Sequence, residues 1–131
     1  MKKLSPTVEE IEELRITAPK GPVVMINLLK FRSDNGRAAY RRYLEVAWRA
    51  VAELESGGAP PLKNLYSGRA GKDVADGEDW DFVIVMEYAD FDHFASLMLH
   101  PIYQSEAVPL RKEALEKALF MMSSPAPISD I

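Results

Sequence analysis

The sequence contains no cysteine among its 131 residues. This absence excludes disulfide bonds, thiolate nucleophiles, iron–sulfur ligation and thiolate zinc sites. Histidine is scarce as well, with two residues in the chain. Asp90, Asp92, His93 and His100 come nearest to a metal-ligand cluster, but their spacing fits no recognised metal motif. We therefore expect neither a metal site nor a cofactor.

The chain has fewer basic than acidic residues, 16 against 20, and its formal net charge is -4. Nucleic-acid and anionic-membrane partners require clustered positive charge. The one short cluster, Arg37, Arg41 and Arg42, has the spacing of a solvated helix face. No apolar run approaches the roughly 20 residues of a membrane span, and the first residues lack the apolar core of a secretory signal. We expect a cytoplasmic protein without nucleic-acid or membrane partners.

Two segments, residues 23–31 and 80–88, are apolar at both odd and even positions. Alternate side chains of a strand point to opposite faces of the sheet, so both faces of these strands must be covered. Leaving one face in water would expose about five large apolar side chains, each worth roughly 1.5–3 kcal/mol when buried. The pattern predicts a homodimer that forms through the open face of the sheet.

The order of the remaining signals predicts the fold. A capping box at Thr7 and Glu10 starts a helix that runs to about Thr17. A strand at about 23–31, a long helix whose apolar stripe runs from Tyr40 through Tyr43 to Leu54, an edge strand at 62–70 and a central strand at 80–88 then follow. Asp90 can cap a short helix, and a further helix that begins at Pro101 is interrupted at Pro109 and continues over 110–117 before a last strand at 118–122. This order predicts an α+β, ferredoxin-like βαββαβ domain with a four-stranded antiparallel sheet and an extra N-terminal helix. We assign residues 1–20 to the helical extension, 21–126 to the domain and 127–131 to a tail.

Several sequence segments resemble a known pattern. They are residues 21–31, Trp80 and Asp81 before an apolar strand, residues 100–104, and residues 111–116. Together they resemble the uncharacterised bacterial family called domain of unknown function thirteen-thirty, of the dimeric α+β barrel superfamily. The resemblance covers about residues 21–126 and leaves the N-terminal helix outside.

The resemblance implies a homodimer whose two sheets pack face to face as a barrel, with the helices outside. Related superfamily members include cofactor-free monooxygenases, haem-degrading oxygenases, muconolactone isomerase-like enzymes, aldoxime dehydratases and stress-responsive proteins. Many of them bind ligands between the sheet and the helices of one subunit. Asn27, Trp80 and His93 follow the order of the haem-degrading residues, but the histidine should fall near Ala107 or Val108. We therefore expect no haem degradation.

Three residues are candidates for catalysis. Asn27 interrupts an apolar central strand, where it either orients a ligand or satisfies a loop backbone or a group of the dimer mate. His100 can transfer a proton near neutral pH, and Tyr103 follows within one turn. Capping of a helix explains His100 equally well. His93 is a weaker candidate, because we expect it to face solvent in the first turn of a short helix.

Five further residues are candidates for ligand binding. Tyr43, Tyr66 and Trp80 could line an aromatic pocket with polar tips. Arg32 and Arg111 could hold a carboxylate by a two-pronged contact, although surface positions would explain both.

Two functions are compatible with these residues. In the first, the dimer binds a small, partly apolar, oxygenated molecule between sheet and helices, and could act as a cofactor-independent monooxygenase, isomerase or dehydratase. In the second, the chain is a non-enzymatic ligand-binding or oligomerisation module. The sequence leaves open whether the protein is an enzyme.

Overall fold

The computed structural model describes residues 4–131. Four strands, β1 (Val23–Phe31), β2 (Lys63–Arg69), β3 (Phe82–Tyr88) and β4 (Leu115–Ser123), form one antiparallel sheet in the order β2-β3-β1-β4. The α-helices are α1 (Val8–Thr17), α2 (Gly36–Ser56), α3 (Phe91–Met98) and α4 (Val108–Ala114). A π-helical turn, Tyr103–Ala107, joins α3 to α4, and a 3-10 turn, Ile128–Asp130, lies near the end of the chain. The prediction of an α+β fold with ferredoxin-like strand order is confirmed.

The helix starts follow from local sequence. Thr7 accepts a hydrogen bond from the Glu10 backbone while the Glu10 side chain accepts from the Thr7 backbone, as the capping box predicted. Asp90 caps α3 by accepting from the His93 N–H at 2.8 Å. At the start of α2 a side chain is sterically excluded, because a Cβ on Gly36 would lie 2.6 Å from the Ala114 carbonyl oxygen.

The last helix ends earlier than the sequence predicts. We expected it to run through Lys117, but α4 ends at Ala114 and β4 begins at Leu115. The earlier start lets Leu115 pair with Phe31 beyond a bulge in the β1–β4 ladder. It also buries Leu115 completely. Sheet pairing and burial therefore override the helix preference of this segment.

The edge strand β2 departs from the simple alternation that its sequence suggests. Its pairing with β3 shifts between Asn64 and Tyr66, so Leu65 is an extra residue in the ladder. As a result Asn64 and Ser67 lie on the side that α2 covers, whereas Tyr66 stands opposite Val85 on the other side.

The two faces of the sheet differ in their cover. On the helix side Val23, Met25, Asn27 and Leu29 of β1 are buried. The opposite face, which we call the open face, is not covered by any helix within residues 4–131 and carries partly exposed apolar side chains. Its members are Val24, Ile26, Leu28, Tyr66, Val83, Val85, Leu119 and Met121. Met121 and Tyr66 are the most exposed, at 48% and 58%.

The N-terminal helix packs on its own chain. Ile11 is fully buried, and Arg15 pairs with Asp92 and lies over the Phe91 ring at 5.1 Å. Helix α1 thus covers α3, the position that the sequence could not assign. No described helix is long and apolar enough to cross a membrane.

His93 corrects a prediction. We expected it to face solvent, but it is 7% exposed. Its Nδ1 accepts a hydrogen bond from the Ala89 N–H at 3.0 Å, and its ring packs edge-on against Tyr88. Helix α3 lies between α1 and the sheet, so nearly its whole circumference is buried.

Candidate functional site

A cavity of about 280 Å³ lies between α2 and the sheet. Helix α2 turns the small side chain of Ala47 towards the sheet, with Tyr43 and Val51 one turn away on either side, and this leaves the space unfilled. Trp48 and Asn64, both exposed, stand where the cavity meets solvent. The sheet contributes the floor, which comprises Asn27, Ser67, Phe82, Ile84, Met86, Tyr88 and Phe120.

Asn27 places an amide on this otherwise mainly apolar floor. It is 7% exposed, and its Nδ2 donates a hydrogen bond to the Ile84 carbonyl at 3.3 Å. Within residues 4–131 its Oδ1 accepts no hydrogen bond. One half of the amide is therefore satisfied by β3, and the other half is free to bind a ligand donor.

A cluster of tyrosines forms the wall beside Asn27. The hydroxyls of Tyr43 and Tyr103 are 2.9 Å apart, and the rings of Tyr40 and Tyr43 lie 4.9 Å apart. Burial raises the pKa of Tyr40, Tyr88 and Tyr103 above its usual range. These hydroxyls are therefore protonated at neutral pH and can donate hydrogen bonds.

Arg111 completes this cluster and is buried, with 1% of its surface exposed. Its Nε donates to the Leu4 carbonyl at 2.8 Å, and its guanidinium carbon lies 5.7 Å from the Tyr43 ring centre and 5.0 Å from that of Phe120. Its Nη2 is buried without a hydrogen-bond partner, and among the described residues Arg111 makes no ion pair. The sequence favoured a surface position for this arginine, so its burial is a correction.

His100 is not brought to the cavity. Its Nδ1 accepts a hydrogen bond from the Ile102 N–H at 3.1 Å, and its Nε2 lies 3.5 Å from a Glu53 carboxylate oxygen. The first contact is the capping role that the sequence offered as the alternative to catalysis. Tyr103 reaches the cavity indirectly, through its hydrogen bond to Tyr43.

The other three candidates lie apart from the cavity. Tyr66 is on the open face, and Trp80 precedes β3, where the Lys117 ammonium lies 4.3 Å from its ring centre. Arg32 is exposed in a surface groove of about 530 Å³ that also contains Lys30 and Arg37. Of the predicted site residues, the structure thus gathers Asn27, Tyr43, Tyr103 and Arg111, and it leaves Tyr66, Trp80, Arg32 and His100 elsewhere.

A second concavity lies between the N-terminal segment and the sheet. This N-terminal groove of about 580 Å³ is lined by Leu4, Ser5, Pro6, Glu10, Glu13, Leu14, Thr17, Met25, Phe94, Ala118, Phe120 and Met122. The Ser5 Oγ is buried there without a hydrogen-bond partner. Phe120 lines both the groove and the cavity, so it separates the two.

Sequence reasoning missed several lining residues. The positions of Asn64 and Ser67 on the cavity side could not be predicted, because they depend on the bulge in β2 and no turn residue in the sequence indicates that bulge. Phe120 falls within the predicted last strand, residues 118–122, and was not among the predicted site residues. Its position opposite Asn27 in the β1–β4 register could have been found only from a correct strand alignment.

Searches for related proteins identify the fold. No protein-family model matches the sequence, and no curated protein matches it. The chain is similar to the crystal structure of a protein of unknown function from Rhodopseudomonas palustris, with a TM-score of 0.77 and 24% identity over 97% of this chain and 99% of that one.

Two further crystal structures share the ferredoxin-like fold at lower similarity. One is a dabb family protein from Mesorhizobium loti, with a TM-score of 0.50 and 17% identity over 82% of this chain and 100% of that one. The other is a dimeric protein of unknown function from Thermobifida fusca, with a TM-score of 0.51 and 20% identity over 81% and 92% of the two chains. These structures place the chain in the ferredoxin-like α+β fold class.

Proposed function

We propose that this chain is a homodimeric binding protein for a small, partly apolar, oxygenated organic molecule, which occupies the cavity between α2 and the sheet. The observation that carries the proposal is the free carbonyl oxygen of Asn27 in a cavity lined mainly by aromatic and aliphatic side chains. Ligand sites in proteins are mostly apolar concavities with a few placed polar groups. The volume of about 280 Å³ suits a ligand with a single ring.

The homodimer is supported by the open face. Eight apolar or aromatic side chains share one side of the sheet, and no described helix covers them. Apolar patches of this kind mark interaction surfaces. The similar Thermobifida fusca protein is described as dimeric. We place the open faces of two copies against each other, and sedimentation of the wild-type chain at micromolar concentration should give twice the protomer mass of 14.7 kDa.

The geometry favours binding over turnover. In the enzymatic version, a monooxygenase, isomerase or dehydratase without cofactor, His100 would move a proton while Asn27 and Tyr103 position a carbonyl. His100 makes its contacts with Ile102 and Glu53 outside the cavity. A role as oligomerisation module alone is disfavoured, because α2 does not pack solidly onto the sheet. As part of this proposal, we assign the chain to the family called domain of unknown function thirteen-thirty, which residues 21–126 resemble.

Ligand titration monitored by nuclear magnetic resonance tests the cavity. Benzyl alcohol, which is largely apolar and carries one hydroxyl that can donate to the Asn27 Oδ1, should shift amide signals of α2 and β3 in the wild-type protein. Ala47→Phe, which fills the cavity, should abolish those shifts. The matched control Tyr66→Phe alters a tyrosine of the open face and should leave them intact. Shifts that survive Ala47→Phe, or that are absent from the wild type, would refute the proposed site.

A further inference from the structure

We propose that the ligand of the cavity is a monocarboxylate, and that its anionic group pairs with the Arg111 guanidinium. This inference rests on the proposed function and names the class of ligand that the cavity selects. Arg111 is the observation behind it, because this arginine has no carboxylate partner among the described residues.

Arg111 is a buried charge that forms no ion pair with the described residues. Arginine remains protonated in proteins and has five N–H donors. Arg111 is 1% exposed, and the described residues satisfy its Nε through the Leu4 carbonyl but leave Nη2 without an acceptor. Buried charges in proteins are normally paired, because desolvation of an unpaired ion is costly. A bound carboxylate would supply both the missing charge and the missing acceptor.

No charged side chain lines the cavity in the described part of the chain. The Arg111 charge is therefore not balanced from the cavity side, and an anion entering there meets no repelling carboxylate. Tyr43 contacts the guanidinium and lines the cavity. In the proposed complex its hydroxyl donates to the same carboxylate and accepts from the Tyr103 hydroxyl, 2.9 Å away. Asn27 pairs with Phe120 in the register of β1 and β4.

Phe120 lies against the Arg111 guanidinium, with the cavity on one side and the N-terminal groove on the other. Its ring therefore has free space on both sides, in contrast to a side chain in a filled core. Arg111 itself does not line the cavity, and the proposal requires that rotation of the Phe120 ring opens a path from the cavity to Nη2.

The alternative is that Arg111 is structural and only fixes the N-terminal segment through Leu4. The two roles differ in their response to a pair of probes of equal shape. Benzoate and benzamide are nearly isosteric, but only benzoate carries a negative charge. A carboxylate site should bind benzoate at least tenfold more tightly than benzamide, whereas a structural arginine gives no preference.

The experiment measures the dissociation constants of both probes by calorimetry or by signal shifts. In the wild type we expect the preference for benzoate. Arg111→Met should abolish it while benzamide affinity changes less than about threefold, and Arg111→Lys should retain part of it. The control Arg32→Met, which removes an exposed arginine outside the cavity, should keep the full preference. Should Arg111→Met fail to fold, the side-chain Nε–H signal of wild-type Arg111 must still move with benzoate and not with benzamide.

The outcomes separate this inference from the proposed function. Equal binding of benzoate and benzamide in the cavity would overturn the carboxylate and leave the cavity site standing. Absence of binding by benzyl alcohol, benzoate and benzamide would overturn both. A third outcome would also overturn the inference. In it, Leu14→Trp, which fills the N-terminal groove, blocks benzoate binding, whereas Ala47→Phe, which fills the cavity, does not. The anion would then reach Arg111 from the groove and not from the cavity.

Discussion

Met121→Glu offers a sharp test of the open face. Met121 belongs to the open face, where it lies on the edge strand β4 opposite Ile26, and 48% of it is exposed in the protomer. Burying the exposed half of a methionine is worth about 0.7–1.5 kcal/mol. A glutamate in its place would lose that contribution, and in the dimer it would also bury an unpaired carboxylate, which costs several kcal/mol per ion.

The expected effect is therefore selective for assembly. We expect the dimer to weaken by at least about 4 kcal/mol, roughly a thousandfold in dissociation constant. The protomer should lose about 1 kcal/mol or less, because the carboxylate can stay in water. Sedimentation equilibrium from nanomolar to high micromolar concentration measures the first quantity, and urea unfolding measures the second. The control Ile16→Glu changes an isoleucine of α1 that is 86% exposed and should leave the dimer unchanged. A Met121→Glu chain that dimerises as tightly as the wild type would refute the assignment of the interface to this face.

Three further predictions address stability, each measurable by urea unfolding. Ile11→Ala should cost about 2–5 kcal/mol because Ile11 is fully buried, whereas Ile16→Ala should change little; equal effects would show that α1 does not pack as described. Gly36→Ala should cost about 1–3 kcal/mol because its Cβ would lie 2.6 Å from a backbone oxygen, whereas Gly71→Ala meets no atom within 4 Å and should be neutral. Burial lowers the pKa of His93, against the attraction of two nearby carboxylates, so the unfolded chain binds the proton more readily. Stability should therefore fall as pH decreases below about 6.5, and His93→Gln should remove that part of the dependence; an unchanged slope would contradict it.

Most of the fold could be predicted because its signals are local. The apolar pattern of β1, the capping box at Thr7 and the cap at Asp90 each depend on residues that are close in sequence. The errors arose where distant pairing decides the structure. Helix α4 ends at Ala114 because Leu115 pairs with β1. Periodicity within the segment carries no information about that pairing.

The site was less predictable, for the same reason. Asn27 could be found because it interrupts an apolar strand, and Tyr43 because it belongs to an amphipathic stripe. Arg111 looked like one of several helix-surface arginines, and only the packing of α4 on α2 and the sheet shows that it is buried. Conversely Tyr66 has the same aromatic character as Tyr43, but the bulge in β2 places it on the other side of the sheet.

The protonation states around the cavity bear on the choice between binding and catalysis. General acid–base catalysis is most effective when the pKa of the catalytic group lies near the working pH. Burial moves the pKa of Tyr40 and Tyr88 upward, away from neutrality, and the amide of Asn27 does not titrate. Arg111 keeps its proton, and the Nδ1 of His93 is engaged by the Ala89 N–H. The polar groups that line the cavity are thus hydroxyls and amides, with the Arg111 charge behind the Phe120 ring. Such groups can hold the proposed anion by hydrogen bonds and charge, and the protonation states around them favour binding over proton transfer.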